Sequence, residues 1–153
     1  MKKNITLLLL TCFQYVSFGQ QNLDSIIDQW HLNAAKSNLN EYFNIMSEDF
    51  VFLGTAPGER WGKTEFYSFC QPYFEKGKTW DFKPSERNWK YTEDSTVAFF
   101  DENLDTWMGG CRGSGILKKQ DDNHWNIIYY NLTVLIENDK MNKFIRLRSK
   151  KKK

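Results

Sequence analysis

The chain has 153 residues, 41% of them hydrophobic and 16% aromatic, with 21 basic and 19 acidic side chains and a formal net charge of +2. That length fits one domain with a real core. Eight of the basic residues fall in 140–153 and two are Lys2-Lys3, so residues 20–139 hold eleven against all 19 acidic ones, a net of −8. Such a body repels phosphate backbones, which excludes nucleic acid as its partner.

Met1 to Gly19 read as a secretory signal. Lys2-Lys3 form the basic start, and Ile5 to Val16 form a mostly apolar run too short to anchor in a bilayer. Ser17 and Gly19 are the small residues before a cut at Gln20. The expected organisation is a signal peptide over 1–19, a folded body over 20–139 and a basic C-terminal tail over 140–153 without fixed structure. Export to the periplasm or the cell exterior follows, with no integral membrane segment once the signal is removed. A lipoprotein signal at Cys12 is the rival, but it needs a smaller residue before the cysteine and would halve the apolar run. Losing the leader leaves Cys70 and Cys111. Pairing them would contribute roughly 4 kcal/mol, yet their spacing fixes no distance, and buried free thiols are expected. With only His31 and His124 beside them, a metal site lacks ligands, and no cofactor is expected.

Leu23 to Ala35 predicts a first helix, its apolar stripe running through Leu23, Ile26, Ile27, Trp30 and Ala34. A short second helix carries Tyr42, Phe43, Ile45 and Met46, and Phe50 to Leu53 is a brief strand ended by Gly54. Thr64 reads as the cap of a third helix, Glu65 to Glu75, with Gly77 beyond its end. Trp80 to Tyr91 is a long strand with a phase slip: Trp80 and Phe82 fall on even positions, Trp89 and Tyr91 on odd ones. A slip around Pro84 implies a bulge or bend. Val97 to Leu117 is a hairpin about Thr106-Trp107, and Trp125 to Ile136 is the last strand. Helices first and a bent meander afterwards make an α+β domain.

Several stretches, in order, carry a resemblance: Trp30-His31-Leu32-Asn33-Ala34-Ala35, Tyr42-Phe43 through Met46, Phe52-Leu53-Gly54-Thr55, and Glu59-Arg60-Trp61 with Phe66. Trp80-Asp81-Phe82, Phe100-Asp101-Glu102, Arg112-Gly113-Ser114-Gly115 and Trp125-Asn126-Ile127 complete the set. Over about residues 22–138 the chain resembles the SnoaL-like branch of the nuclear transport factor 2-like superfamily. The resemblance implies a cone-shaped barrel of curved antiparallel sheet wrapped over about three N-terminal helices, with a pocket open at one end. It also implies a homodimer through the outer sheet face. Relatives include isomerases, dehydratases, cyclases and epoxide hydrolases, so the fold constrains activity weakly. Two departures stand out. Ala56 occupies a loop position that is often acidic in the family, and Tyr129 lies near one that is often His.

Asp101 and Glu102 are strand neighbours, so only one can face the cone. With the turn at Thr106-Trp107, Asp101 falls opposite Arg112, and a cross-strand ion pair is one reading of it. Others are a general base, the raised carboxylate of an aromatic pocket, and a solvated charge. His31, Arg112 and the rings of Trp30, Tyr42, Trp61, Trp107 and Tyr129 are the remaining pocket candidates. The sequence thus points to an exported protein that binds a small, partly apolar molecule. An isomerase- or dehydratase-type enzyme, and an interaction module with a collapsed pocket, stand as alternatives. It carries no nucleotide fingerprint, nucleophile elbow or metal cluster.

Overall fold

A computed structural model describes residues 22–120 and 124–149; the expected signal peptide lies outside the described residues. Helix α1 spans Leu23–Ala35 as its stripe predicts. Asn22 caps it, its side chain accepting from the Asp24 N–H at 3.0 Å. His31 and Asn33 are buried beside the apolar stripe. Helix α2, Leu39–Asn44, buries Tyr42 and Phe43, and α3 covers Lys63–Glu75. The cap of α3 is Gly62 rather than Thr64. The Glu65 carboxylate reaches back to accept from the Gly62 N–H at 3.0 Å, which starts the helix early enough to take Thr64 inside it.

Six strands follow or intervene: β1 Met46–Leu53, β2 Arg60–Gly62, β3 Lys83–Tyr91, β4 Val97–Thr106, β5 Gly109–Lys119 and β6 Trp125–Val134. They form one sheet in the order β2-β1-β6-β5-β4-β3, open between β2 and β3. All neighbours are antiparallel except β1 and β6, which run parallel. This brings an early strand beside the last one, a pairing that no local pattern announces. Met46 opens β1 instead of closing α2. The C-terminal segment, expected without structure, holds a short 3-10 turn over Asn138–Lys140 and a helix α4 over Met141–Ser149.

Register irregularities bend the sheet around the helices. One falls in β1 between Met46 and Val51, one in β3 between Ser85 and Asn88, and one between β5 and β6 at Ile116/Leu117. The enclosed layer is aromatic. Phe66 of α3 sits among Phe52 of β1, stacked at 4.1 Å, with Phe43, Phe50 and Trp61 around it. Cys70 and Cys111 are free and buried in this interior. Burial raises the Cys70 thiol well above its ordinary pKa, so it behaves as an apolar group.

Two glycines let β5 approach the buried face of its neighbours. A Cβ on Gly113 would meet the Tyr130 hydroxyl and lie 2.9 Å from Glu102 Oε1, and one on Gly115 would strike the Phe100 ring. Gly113→Ala is therefore expected to destabilise the fold by about 1–3 kcal/mol, seen as a lower urea midpoint at unchanged slope. Gly110→Ala, where nothing lies within 4 Å, should change stability by less than about 0.5 kcal/mol.

Candidate functional site

On β4 the side chains alternate. Ala98, Phe100, Glu102 and Leu104 point inward, and Phe99, Asp101 and Asp105 are exposed. Of the two adjacent carboxylates it is Glu102 that enters the core, with 0% of its surface exposed. Asp101 stands on the outer face opposite Ser114, while Arg112, also exposed, stands opposite Asn103. The hairpin turns at Trp107-Met108, one residue later than the sequence suggests, so each partner moves along by two and the expected Asp101–Arg112 pair does not form.

Four donors complete the Glu102 carboxylate. Oε1 accepts from His31 Nε2 at 2.8 Å and from the Tyr130 hydroxyl at 2.9 Å. Oε2 accepts from Arg87 Nε at 2.9 Å and Nη2 at 2.8 Å. That fills the acceptor capacity of an ionised carboxylate and places the His31 ring proton on Nε2. Arg87 in turn donates from Nη1 to Asp24 Oδ1 at 3.0 Å and from Nη2 to Asp28 Oδ1 at 2.9 Å. Trp89 Nε1 also donates to Asp24 Oδ1, at 2.9 Å. The chain of groups thus runs from α1, through β3 and β4, to β6.

Burial alone would raise the Glu102 pKa. The hydrogen bond from His31, followed by the charge and hydrogen bonds of Arg87, outweighs it and holds the carboxyl below its ordinary value. Tyr130 moves the other way: burial first, then the Glu102 charge, raise its pKa well above the ordinary value, so its hydroxyl stays protonated and donating. Asp24 is lowered: the Trp89 hydrogen bond is the largest cause, burial opposes it, and the Arg87 hydrogen bond and charge add to the lowering.

Beyond this network lies a cavity of about 390 Å³. Trp30, Tyr42, Phe52, Trp61, Phe66 and Trp80 supply aromatic walls, and His31 and Tyr130 supply polar edges. Trp30 lies 5.1 Å from Tyr42, their planes 4° apart. The exposed rings of Phe69, Tyr73 and Trp107 also contribute, Trp107 at 83% exposure. Such a space sits poorly with a collapsed pocket. The structure gathers Trp30, His31, Tyr42, Trp61 and Trp107 around it. Glu102 stands behind His31 and Tyr130 rather than in the wall, and Asp101, Arg112 and Tyr129 do not line it. Tyr130 takes the place expected of Tyr129, because the irregularity at Ile116/Leu117 shifts the inward positions of β6 from Trp125 and Ile127 to Tyr130 and Leu132.

Sequence reasoning passed over Arg87, though a signal for it was present. The phase slip in β3 is a bulge in which Glu86 and Arg87 together face Glu102, between the pairs Ser85↔Asn103 and Asn88↔Asp101. Glu86 takes a left-handed φ of 49°, and the next side chain, Arg87, turns inward. Among the described residues no group of three or more His, Cys, Asp or Glu is placed to hold a metal ion.

The family model of the SnoaL-like domain matches residues 23–137. No curated protein matches the sequence. Among solved structures, the chain is similar to an NTF2-like protein of unknown function from Pseudomonas putida KT2440. The TM-score is 0.64 at 10% identity, over 79% of this chain and 89% of that one. A candidate ketosteroid isomerase from Parabacteroides distasonis gives 0.57 at 13% identity, covering 75% and 89%. ActVI-ORFA from Streptomyces coelicolor gives 0.59 at 11%, covering 72% and 93%. At such identities these likenesses establish the shared cone fold and nothing finer.

The network makes stability acid-sensitive. The Glu102 pKa is lower in the fold than in the unfolded chain, so its contribution is complete above the ordinary carboxylate pKa, about 4.3. It is lost as pH falls from there through the lower folded value. Glu102→Gln is expected to flatten that acid limb in melts recorded against pH. At neutral pH it should cost about 3–5 kcal/mol, because Arg87 loses its buried partner.

Proposed function

The chain belongs to the SnoaL-like domain family, and from that premise we propose that its cavity binds a small, partly apolar, ring-bearing molecule. The observation that carries the reading is the pairing of charge behind an aromatic cavity. Glu102 has every oxygen occupied and a lowered pKa, so it offers the cavity no free carboxylate, and the walls are mostly rings with the His31 edge, joined by Glu59, whose carboxylate accepts from the Ala56 N–H. A space of about 390 Å³ with such walls suits a flat ligand that stacks on rings and places one polar group near His31.

A second reading is supported by one distance. The 2.8 Å bond from His31 Nε2 to Glu102 orients the imidazole and leaves Nδ1 to take a proton. In an isomerase- or dehydratase-type reaction His31 would then be the base, with Glu102 positioning it and stabilising its charged form. A ring-bearing carbonyl substrate would enter the same cavity.

Both readings are separable by one experiment. Quenching of tryptophan fluorescence by a panel of bicyclic aromatic alcohols and ketones should give saturable binding. Trp61→Ala, which removes a wall ring, should weaken that binding about tenfold. Absence of saturable binding across the panel would overturn the cavity reading. Turnover of a bound ketone that is lost in His31→Gln, with affinity kept, would establish the enzyme instead. We also propose export, on the leader over 1–19. The mature chain secreted by an expressing cell should begin at Gln20 by N-terminal sequencing, and a retained Met1 would refute it.

A further inference from the structure

Helix α4, unlike α1, α2 and α3, buries none of its residues. Ile145 is 52% and Leu147 62% exposed, and Met141 is exposed as well. Phe144 is half-buried beneath the Arg148 guanidinium, 5.6 Å from its ring centroid. At 100° per residue Leu147, Phe144, Met141 and Ile145 share one side of the helix. Lys143, Arg146, Asn142 and Ser149 share the other. Arg148 falls within the apolar side, and its long stem lets the head reach past the rings. Residues 140–153 carry eight basic and no acidic side chains.

We propose that α4 is an interfacial helix that docks this domain on an anionic lipid surface. Its basic side, with Lys143 and Arg146, meets the headgroups, and Met141, Phe144, Ile145 and Leu147 enter the acyl boundary. Charge complementarity selects an anionic partner. The apolar side selects a lipid surface over nucleic acid, which would leave those four side chains in water. The body's net charge of −8 points the same way. It opposes approach to any polyanion, so contact needs the apolar insertion that a membrane rewards and a nucleic acid does not. No helix among the described residues is long and apolar enough to cross a bilayer, so the attachment is peripheral. The cavity lies on other elements, and the proposal stands or falls separately from what that cavity binds.

The test is co-sedimentation of the full chain with vesicles of phosphatidylcholine alone or mixed with phosphatidylglycerol. Two double variants accompany it, Ile145→Glu with Leu147→Glu, and Lys143→Gln with Arg146→Gln. All three proteins keep the same N-terminus, so any contribution from the leader cancels, and all sites changed are exposed, so melting should be unchanged. The full chain is expected to bind the anionic vesicles at least about tenfold more tightly than the neutral ones, with affinity falling as salt rises. The apolar variant should lose at least about tenfold, and the charge variant about 25-fold, near fivefold for each cation. Equal binding to neutral vesicles, or no effect of either variant, would overturn the proposal. So would tighter binding to a nucleic-acid duplex that ignores the Glu substitutions. Self-association of the chain that the same substitutions abolish, without vesicle binding, would overturn it too.

Discussion

A carboxylate with no exposed surface has to be compensated at each oxygen, because the interior offers neither water nor counter-ion. Glu102 is such a group, and the partners it requires come from three separate parts of the chain: His31 from α1, Arg87 from β3 and Tyr130 from β6. None of these can move without leaving a buried charge short of a donor. The network therefore ties the first helix to the far strands of the sheet, across an interface that is otherwise built of rings. It also explains the missing side chain on Gly113, whose Cβ would occupy the space taken by the Tyr130 hydroxyl and the Glu102 carboxylate.

The same compensation sets the character of the cavity. Four donors hold Glu102 ionised, and a carboxylate so engaged is a weak base toward anything outside its shell. What it does instead is fix the tautomer and direction of His31, whose ring is part of the cavity wall. The Arg87 charge is countered further by Asp24 and Asp28 in the first two turns of α1, and Arg87 does not line the cavity. The domain thus keeps several charges inside while showing a ligand mostly aromatic surface.

Local pattern carried much of this, and the residues show where it stopped. The stripe of α1 ends at Ala35 as read, the strands about Trp107 pair over their full length, and the inward parity of β4 separates Glu102 from Asp101. Two of the failures, at Arg87 and at Tyr130, lie at register irregularities. An extra residue in β3 brings Arg87 inward, and the slip in β6 replaces Tyr129 with Tyr130, because a strand's side chains exchange faces when one residue is inserted. A bulge leaves a trace in the sequence, as the slip from Phe82 to Trp89 does, but that trace spans several residues and does not say which of them turns. The parallel pairing of β1 with β6 joins segments some eighty residues apart, as in Phe52↔Tyr130, and leaves no local trace.

The bulge in β3 also shows how a costly local conformation is held in place. Glu86, a residue with a Cβ, sits at φ 49°, where a side chain crowds its own backbone at roughly 1–2 kcal/mol. Its carboxylate accepts from Asn103 Nδ2 at 2.6 Å and its carbonyl from Asn88 Nδ2 at 3.0 Å, so the strained residue is anchored on both sides. The return lies one residue on, where the Arg87 fork meets Glu102 with two bonds inside the core and Asp24 and Asp28 with two more. A regular strand would have sent Arg87 outward, since Ser85 is exposed and side chains two apart share a face. It would thereby have left Glu102 without its cation. The strain at Glu86 is thus what makes a buried carboxylate tolerable in this sheet, and the carboxylate is what keeps His31 fixed at the cavity.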